Sequence, residues 1–471
     1  MILVRNLLQP LSGNKFSVLL LVVLLLSACK TKKKVVDNRP NRPTTTRPTS
    51  NSSNAKSKVD TISWSEGKVN RNATRSSDSE YSSGGWETSP LIEGEDKRDR
   101  YTVVGFIPFD SDQYSPGSLL QPGSNEHRFV NYYAGIKMGL EDLEQDGAKL
   151  DFVVKDSESG NFVNKLKECK GADVIIGPYK KEYLVETAHF CKQNQIVNVS
   201  PWRASSKITS ENPYYIQLRP NITEYYHAIV AHAMTRYNQD KIYVIGRNDG
   251  KDRGMMDYVH QCASLSKGLP ETTKVLQEYL INVDSLHNEA STYDGIFHQG
   301  VETAFIIPHY LSKDEFFVYD AIRKLAGERG SNRVGVYCMP MVYDSEKIGA
   351  EYYGNLNMKI ARAKWVDRTD MDVRNFRNRY FLKFNALPSD DAIDGYDMIT
   401  FIGKNLMNHG KTFQFTLDQD SDRYLQSAYD VQKIYSTDKN SLDKFTNINY
   451  FENKSLDIIE FRNGKFSRVN Y

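Results

Sequence analysis

The clearest pattern of apolar and polar positions lies between Gly171 and Ser206. An apolar run, Val174–Ile176, stops at Gly177 and Pro178; Tyr183, Leu184, Val185, Ala188 and Phe190 then recur at helical spacing, and a second run, Ile196–Val199, ends at Ser200 and Pro201. Short runs that are apolar throughout predict buried strands, and the amphipathic stretch between them predicts a covering helix. The product is one β-α-β unit, so the sheet is expected to be parallel with helices on both faces. In such sheets ligands meet the carboxyl ends of the strands, here Gly177–Lys180 and Ser200–Ser206.

The same alternation extends in both directions. Upstream, strands are predicted at Tyr101–Pro108 and Leu150–Lys155, with helices at Arg128–Asp146 and Phe162–Lys170. Tyr214–Leu218 is a further strand, running into Arg219, Pro220 and Asn221, where a hinge is expected. The pattern then restarts: helices at Glu224–Tyr237, Gly254–Leu265 and Asp314–Leu325 alternate with strands at Lys241–Gly246, Thr273–Leu280, Thr303–Pro308 and Val334–Cys338. Two α/β lobes follow, 100–220 and 221–360, each doubly wound. Helices at Val373–Phe384 and Ala392–Asn408 read as a return to the first lobe (361–415), with Trp365 near a second crossing. Residues 416–471, with short strands at Ile448–Tyr450 and Ile458–Phe461, are expected to close the second lobe and the hinge.

Before Tyr101 the pattern differs. Arg5 and Lys15 flank an apolar stretch, Phe16–Leu26, that is short for a membrane span and ends in Leu26, Ser27, Ala28 and Cys29. This resembles a bacterial lipobox, so residues 1–28 are expected to be a lipoprotein signal peptide and Cys29 the lipidated residue, carrying palmitate. Residues 29–99 are Lys-rich and then rich in Asn, Arg, Pro, Thr and Ser, with almost no apolar periodicity, and read as a disordered tether. Lys30 and Lys32–Lys34 either rest on anionic headgroups or are merely solvated.

Composition narrows the picture further. With 471 residues, 25% of them charged, and a formal net charge of +2, the chain has room for large cores and no bias towards nucleic acid. Beyond Cys29 it holds Cys169, Cys191, Cys262 and Cys338. A bridge between Cys169 and Cys191, late in consecutive helices, and buried free thiols are the two readings.

The residues GADVIIGP, IVNVSP about twenty positions later, and FRNRYFLKFNALPSDDAIDGYDMI, taken together, resemble the type 1 periplasmic-binding fold of branched-chain amino acid-binding proteins. The most specific of them are Ile176–Pro178, Ser200–Pro201, Tyr380, Pro388 and Gly395–Asp397. The stretch AFIIPHYLSKDEFFVYDAIRKL is similar to Bacteroidetes envelope lipoproteins related to activators of penicillin-binding proteins. The resemblance implies two Rossmann-like lobes joined by a multi-strand hinge, with a ligand cleft between them. This chain departs from the family at the amino-acid pocket: Tyr179, Lys180 and Lys181 stand where small hydroxyl residues are usual, Trp202 and Arg203 precede Ala204, Ser205 and Ser206, and Arg253–Gly254 replaces a Tyr-Gly pair. A bulkier, more anionic or peptide-like ligand, or none, is implied.

The candidate ligand-binding residues are therefore Tyr179, Lys180, Ser200, Trp202, Arg203, Ser205, Ser206 and Arg253. Guanidinium and ammonium groups suit carboxylate or phosphate, and aromatics commonly wall clefts. Each has a plainer reading: solvated loop charge for Lys180, Arg203 and Arg253, packing for Tyr179, Trp202 and Tyr114, and helix capping for the serines. Enzyme motifs fail. His409–Thr412 lacks the first glycine of a phosphate loop, Asp418, Asp420 and Asp422 lack the glycine and glutamate of a calcium loop, and His227 and His232 are wrongly spaced for zinc. No enzyme activity and no cofactor are expected. Two functions stand: an envelope lipoprotein facing the periplasm, on the outer rather than the inner membrane, that binds a small solute and works with a permease, or a scaffold that binds a protein partner in peptidoglycan synthesis.

Overall fold

The computed structural model describes residues 97–469 apart from 116–119, 203–204, 206, 294, 298–299, 419–420 and 437–447. The signal peptide, Cys29, the tether up to residue 96, Arg203 and Ser206 lie outside the described residues. In the first lobe, chain order is β1 (Tyr101–Ile107), α1 (Asn125–Gln145), β2 (Leu150–Asp156), α2 (Phe162–Lys167), β3 (Val174–Ile176), α3 (Lys181–Asn194), β4 (Val197–Ser200) and β5 (Tyr215–Gln217). The second lobe continues with α4 (Ile222–Arg236), β6 (Ile242–Arg247), α5 (Arg253–Leu265), β7 (Gln277–Ile281), β8 (Thr303–Ile307), α6 (Glu315–Glu328), β9 (Val334–Cys338), α7 (Met341–Asp344), α8 (Ala350–Asn355) and β10 (Met358–Arg362). Then come α9 (Met371–Phe384), α10 (Asp390–His409), the two-residue strands β11 (Asp422–Arg423) and β12 (Ala428–Tyr429), β13 (Val431–Tyr435), β14 (Ile448–Asn453), β15 (Asp457–Arg462) and β16 (Lys465–Arg468).

Two seven-stranded sheets result, with orders β13-β14-β5-β4-β3-β1-β2 and β16-β15-β10-β9-β8-β6-β7. All pairings from β14 to β2 and from β10 to β7 are parallel; β13, β15 and β16 add antiparallel edges. Residues 416–471 thus supply strands to both sheets, since β13 and β14 join the first and β15 and β16 the second.

The alternation of side chains along each strand assigns the two layers. Val103, Ile107, Val174, Ile176, Val197, Val199 and Ile216 pack under α1 and α10, whereas Val104, Phe106 and Ile175 face α2 and α3. In the second lobe Phe305, Ile307, Val336 and Ile360 face α6, while Val244, Ala304 and Ile306 face α4 and α5. Both faces of each sheet are therefore covered, which is why the strand sequences read as apolar throughout. Cys169 and Cys191 share the α2–α3 layer as buried free thiols, so the bridge envisaged from sequence is not formed; Cys262 and Cys338 are also buried and free. Burial pushes the Cys169 thiol up to about 11.

The chain crosses between the lobes three times: at Leu218–Asn221, after β10 through Trp365, and from Asn453 to Asp457. Side chains from the third crossing hold the first and part of the chain beside the second. Buried Asn453 donates to the carbonyls of Leu218 (3.2 Å) and Ala428 (3.0 Å) and accepts from the amides of Asp430 (2.9 Å) and Ser455 (3.0 Å). The Glu452 carboxylate accepts from the Asn221 amide at 3.2 Å, the Tyr450 hydroxyl at 3.1 Å and Lys454 at 2.8 Å. At the second crossing the Trp365 amide donates to the Gln426 carbonyl (3.1 Å), and Arg468, itself paired with Asp457, donates to the Trp365 carbonyl at 3.0 Å. Segment 425–427 is fixed in turn by Asp397 of α10, which accepts from its three amides at 2.9–3.1 Å. Burial drives the Asp397 carboxyl up to about 7, with the three amides pulling the other way.

Candidate functional site

The carboxyl ends of the first-lobe strands are filled from within the lobe. Trp202, just after β4, lies edge-on to Phe129 at 5.4 Å, tilted to Tyr132 at 5.1 Å and against Tyr179 at 6.0 Å, and Tyr179 also meets Phe129 at 5.3 Å. Gly177 is part of this packing: with φ +77 it takes a conformation L side chains avoid, and a Cβ there would stand 2.8 Å from the indole and 2.8 Å from the Phe106 carbonyl. Glycine at this strand end is what lets the indole lie down on the backbone.

The polar candidates are also engaged internally. Lys180 pairs with Glu158 and lies over the Tyr183 ring. Arg253 pairs with Glu278 at 3.0 Å and Asp257 at 3.2 Å. Ser200 is buried, and the Ser205 amide donates to Gln217 while its hydroxyl accepts from the Lys207 amide. The structure thus brings Tyr179 and Trp202 together as packing, and places Arg253 on the other lobe. His232 is buried beside the Tyr337 hydroxyl, 2.8 Å away. Among the described residues no group of three or more His, Cys, Asp or Glu side chains could hold a metal ion, and no helix is long and apolar enough to cross a membrane.

Two cavities open in the second lobe, on residues that sequence reading passed over. The larger, about 440 Å³, has an apolar wall of Val283, Leu286, Phe316 and Phe317 and is closed at the strand end by Arg247. Lys251 and Asp249, paired at 2.6 Å, and Asp320, paired with Arg323 at 3.3 Å, complete its rim. The other, about 390 Å³, shares Leu286 and His287 with it and continues along α6 past Arg323 and Lys324.

Arg247 is the last residue of β6. The turn at Gly250, φ +79, brings Asp252 back beneath it, where the carboxylate accepts from the Arg247 amide at 2.7 Å and from Nε at 3.0 Å. Nη2 donates to Asp252 at 2.5 Å and to Asp314, ahead of α6, at 2.9 Å. Fully buried His309, two residues after β8, places Nε2 3.0 Å from Asp252, and both His309 and the guanidinium lie on the Phe317 ring, at 4.8 and 5.0 Å. Burial works to raise the Asp252 carboxyl, but hydrogen bonds from His309 and Arg247 hold it well below the usual carboxylate range. The available signal was the abrupt change after apolar strands, VIG to RNDGKD and FIIP to HY. Distinguishing this from any strand-to-loop change requires knowing that β6 and β8 are neighbours.

The sequence model for the receptor family ligand binding region matches residues 134–293, from α1 to beyond β7. A structure described as a branched-chain amino acid ABC transporter from Rhodospirillum rubrum superposes over 79% of this chain and 99% of its own, with a TM-score of 0.52 and 14% identity. This chain has the type 1 periplasmic-binding fold. A second structure, an ABC transporter substrate-binding protein from Desulfitobacterium hafniense in complex with Leu, covers the same 79% and 99% at 14% identity with a TM-score of 0.46. No curated protein matches the chain by sequence. In terms of the type 1 periplasmic-binding fold, Arg247 ends β6 and His309 follows β8, its parallel neighbour, so both lie at carboxyl ends of strands, the side on which open α/β sheets meet ligands.

Proposed function

We propose that the chain is a lipid-anchored, non-enzymatic binding protein of the bacterial envelope that takes a small solute at its strand ends and bends about the triple crossing. The observation that carries this reading is the hinge, in which three crossing segments are tied by hydrogen bonds and ion pairs of Glu452, Asn453 and Asp457. Such a junction lets two packed lobes rotate while the crossing backbone stays hydrogen-bonded. The Rhodospirillum rubrum chain is described as a branched-chain amino acid transporter. For this chain we take the solute to be anionic or peptide-like, because Tyr179, Lys180 and Lys181 stand where small hydroxyl residues are usual in the binding proteins it resembles. Cys29 would carry the lipid and hold the protein on the outer rather than the inner membrane, facing the periplasm, and a transport role would add a permease.

A second reading, a scaffold that binds a protein partner in peptidoglycan synthesis, is favoured by one specific observation. The strand ends of the first lobe are filled by its own aromatics, leaving less of a solute pocket there. Thermal unfolding of the purified chain against amino acids, acidic peptides and muropeptides separates the two readings. A ligand that binds only the folded form raises the transition by an amount that grows with its concentration. A graded rise supports the solute reading; a well-folded sample that no compound shifts supports the scaffold.

A further inference from the structure

We infer that the cavity at the carboxyl end of β6 is a subsite for the carboxylate of a ligand with an apolar body, held by Nη1 of Arg247. This rests on the solute-binding reading above and assigns the anionic group to Arg247 rather than to Lys180, Arg203 or Arg253.

The guanidinium is divided between two tasks. Its Nε and Nη2 edge is spent on Asp252 and Asp314, while Nη1 makes no hydrogen bond among the described residues, and Arg247 lines the cavity. An arginine pinned on one side by buried carboxylates and placed over an aromatic ring, 5.0 Å from its centre, has few rotamers left. Its remaining donors are therefore fixed in direction before a ligand arrives, which lowers the ordering cost of binding. His309 completes the support from behind Asp252.

The surroundings choose among anions. Asp252 and Asp314 already offset the charge of Arg247, and Asp249 and Asp320 offset Lys251 and Arg323. These four carboxylates outnumber the three cations by one, so a multiply charged phosphate would be repelled more strongly than a monoanion, and a single carboxylate needs only the Nη1 donors. The wall of Val283, Leu286, Phe316 and Phe317 then accepts hydrocarbon, and the adjoining cavity past His287 leaves room for a chain longer than one residue. This lining favours a carboxylate-bearing, peptide-like molecule whose apolar part lies along α6.

The test uses the purified chain with 3-phenylpropionate as the probe and 3-phenylpropanamide, the same shape without the charge, as its partner, read by ligand-observed NMR titration. The acid should bind at least tenfold more tightly than the amide. Arg247→Lys should abolish that preference, whereas Arg253→Lys should leave it intact. Because Arg247→Lys also disturbs buried Asp252 and Asp314, Phe316→Glu serves as a second variant. Phe316 is 66% exposed, so a carboxylate at the mouth should weaken the acid about tenfold without unfolding the lobe. Equal binding of acid and amide, absence of binding by the acid, or an unchanged preference in both Arg247→Lys and Phe316→Glu overturns the subsite. Small-angle scattering of the same samples reads the hinge separately: an unchanged profile with the acid bound refutes lobe closure and leaves the subsite standing.

Discussion

The contact between α1 and α10 sets up a sharp test of how this fold is held, because its closest points are glycines facing backbone. A Cβ at Gly135 would stand 2.7 Å from the carbonyl carbon of Ala392 and 3.1 Å from its Cα, and nearer still to the oxygen. A Cβ at Gly395 would stand 2.9 Å from the carbonyl carbon of Tyr132 and 3.3 Å from the Ile136 amide nitrogen. Gly139 and Gly403 extend the contact, against Ile399, Thr400 and Leu143. Small residues along both helices are what permit this approach, and both helices cover the same face of the first sheet.

Consider Gly135→Ala. The Ala392 oxygen lies nearer than the 2.7 Å carbonyl carbon, so opening the carbon alone to an ordinary contact of about 3.5 Å leaves the oxygen overlapped, and the helices must part by more than about 0.8 Å. The obstacle is backbone, so no rotamer change relieves it, and the shift loosens Phe129, Tyr132, Met398 and Ile399 in the core. Overpacking of this kind costs about 1–3 kcal/mol or more. Alanine returns up to about 1 kcal/mol in helix propensity. The net expectation is a loss of about 2 kcal/mol. Gly254→Ala, in α5 where nothing lies within 4 Å of the added methyl, should instead gain up to about 1 kcal/mol. Urea unfolding, followed by circular dichroism and compared at constant slope, measures both. The double variant Gly135→Ala/Gly395→Ala should lose less than the sum of its parts, since one displacement accommodates both methyls. Gly135→Ala within about 0.5 kcal/mol of the parent would falsify the packing argument.

Three further outcomes are expected. Asn453→Ala strips partners from Leu218, Ala428, Asp430 and Ser455, and should cost about 3 kcal/mol and speed amide exchange at the crossings; unchanged exchange there would show that Asn453 is not their tie. Trp202→Ala should cost about 3 kcal/mol in urea unfolding, within the range for emptying an aromatic from packed surroundings, whereas a tryptophan that only awaits a ligand would cost almost nothing. Burial, aided by Arg236 and Lys359, lowers the His232 imidazole from 6.5 to about 4, so the folded state favours its neutral form. Stability from this source is complete above about pH 6.5 and falls as pH drops towards 4, by at most about 1.4 kcal/mol per unit for one proton, and His232→Gln should flatten that part of the profile.

The regular core was legible because its strands are buried on both faces and its helices are amphipathic, so periodicity alone located β1, β3, β9 and the helices between them. Strand β10, MKIAR, escaped because its charged residues break the apolar run. In the fold, however, Lys359 is buried and paired with Glu460 at 3.0 Å, a compensation visible only once β15 lies alongside. Strands β13 and β16 are edges with mixed polarity, and what makes them strands is pairing with β14 and β15 rather than any pattern of their own.

The candidate site divides for the same reason. Reading the strand ends Gly177–Lys180 and Ser200–Ser206 correctly located where side chains of several strands converge, but not what they do there. An aromatic at a strand end looks the same in sequence whether it walls a cleft or roofs a core. The difference lies in Phe129 and Tyr132, on a helix some fifty to seventy positions away, and in a glycine that leaves the indole room to lie flat. Arg247 shows the converse: an unremarkable charge at a strand end in the sequence, it becomes a tightly held cation once Asp252 and Asp314 pair with it and Phe317 packs beside it, with His309 behind Asp252. Directed hydrogen-bond donors beside an apolar cavity wall are a property of that assembly and of none of its residues singly, which is why Arg247 could not be singled out from the sequence.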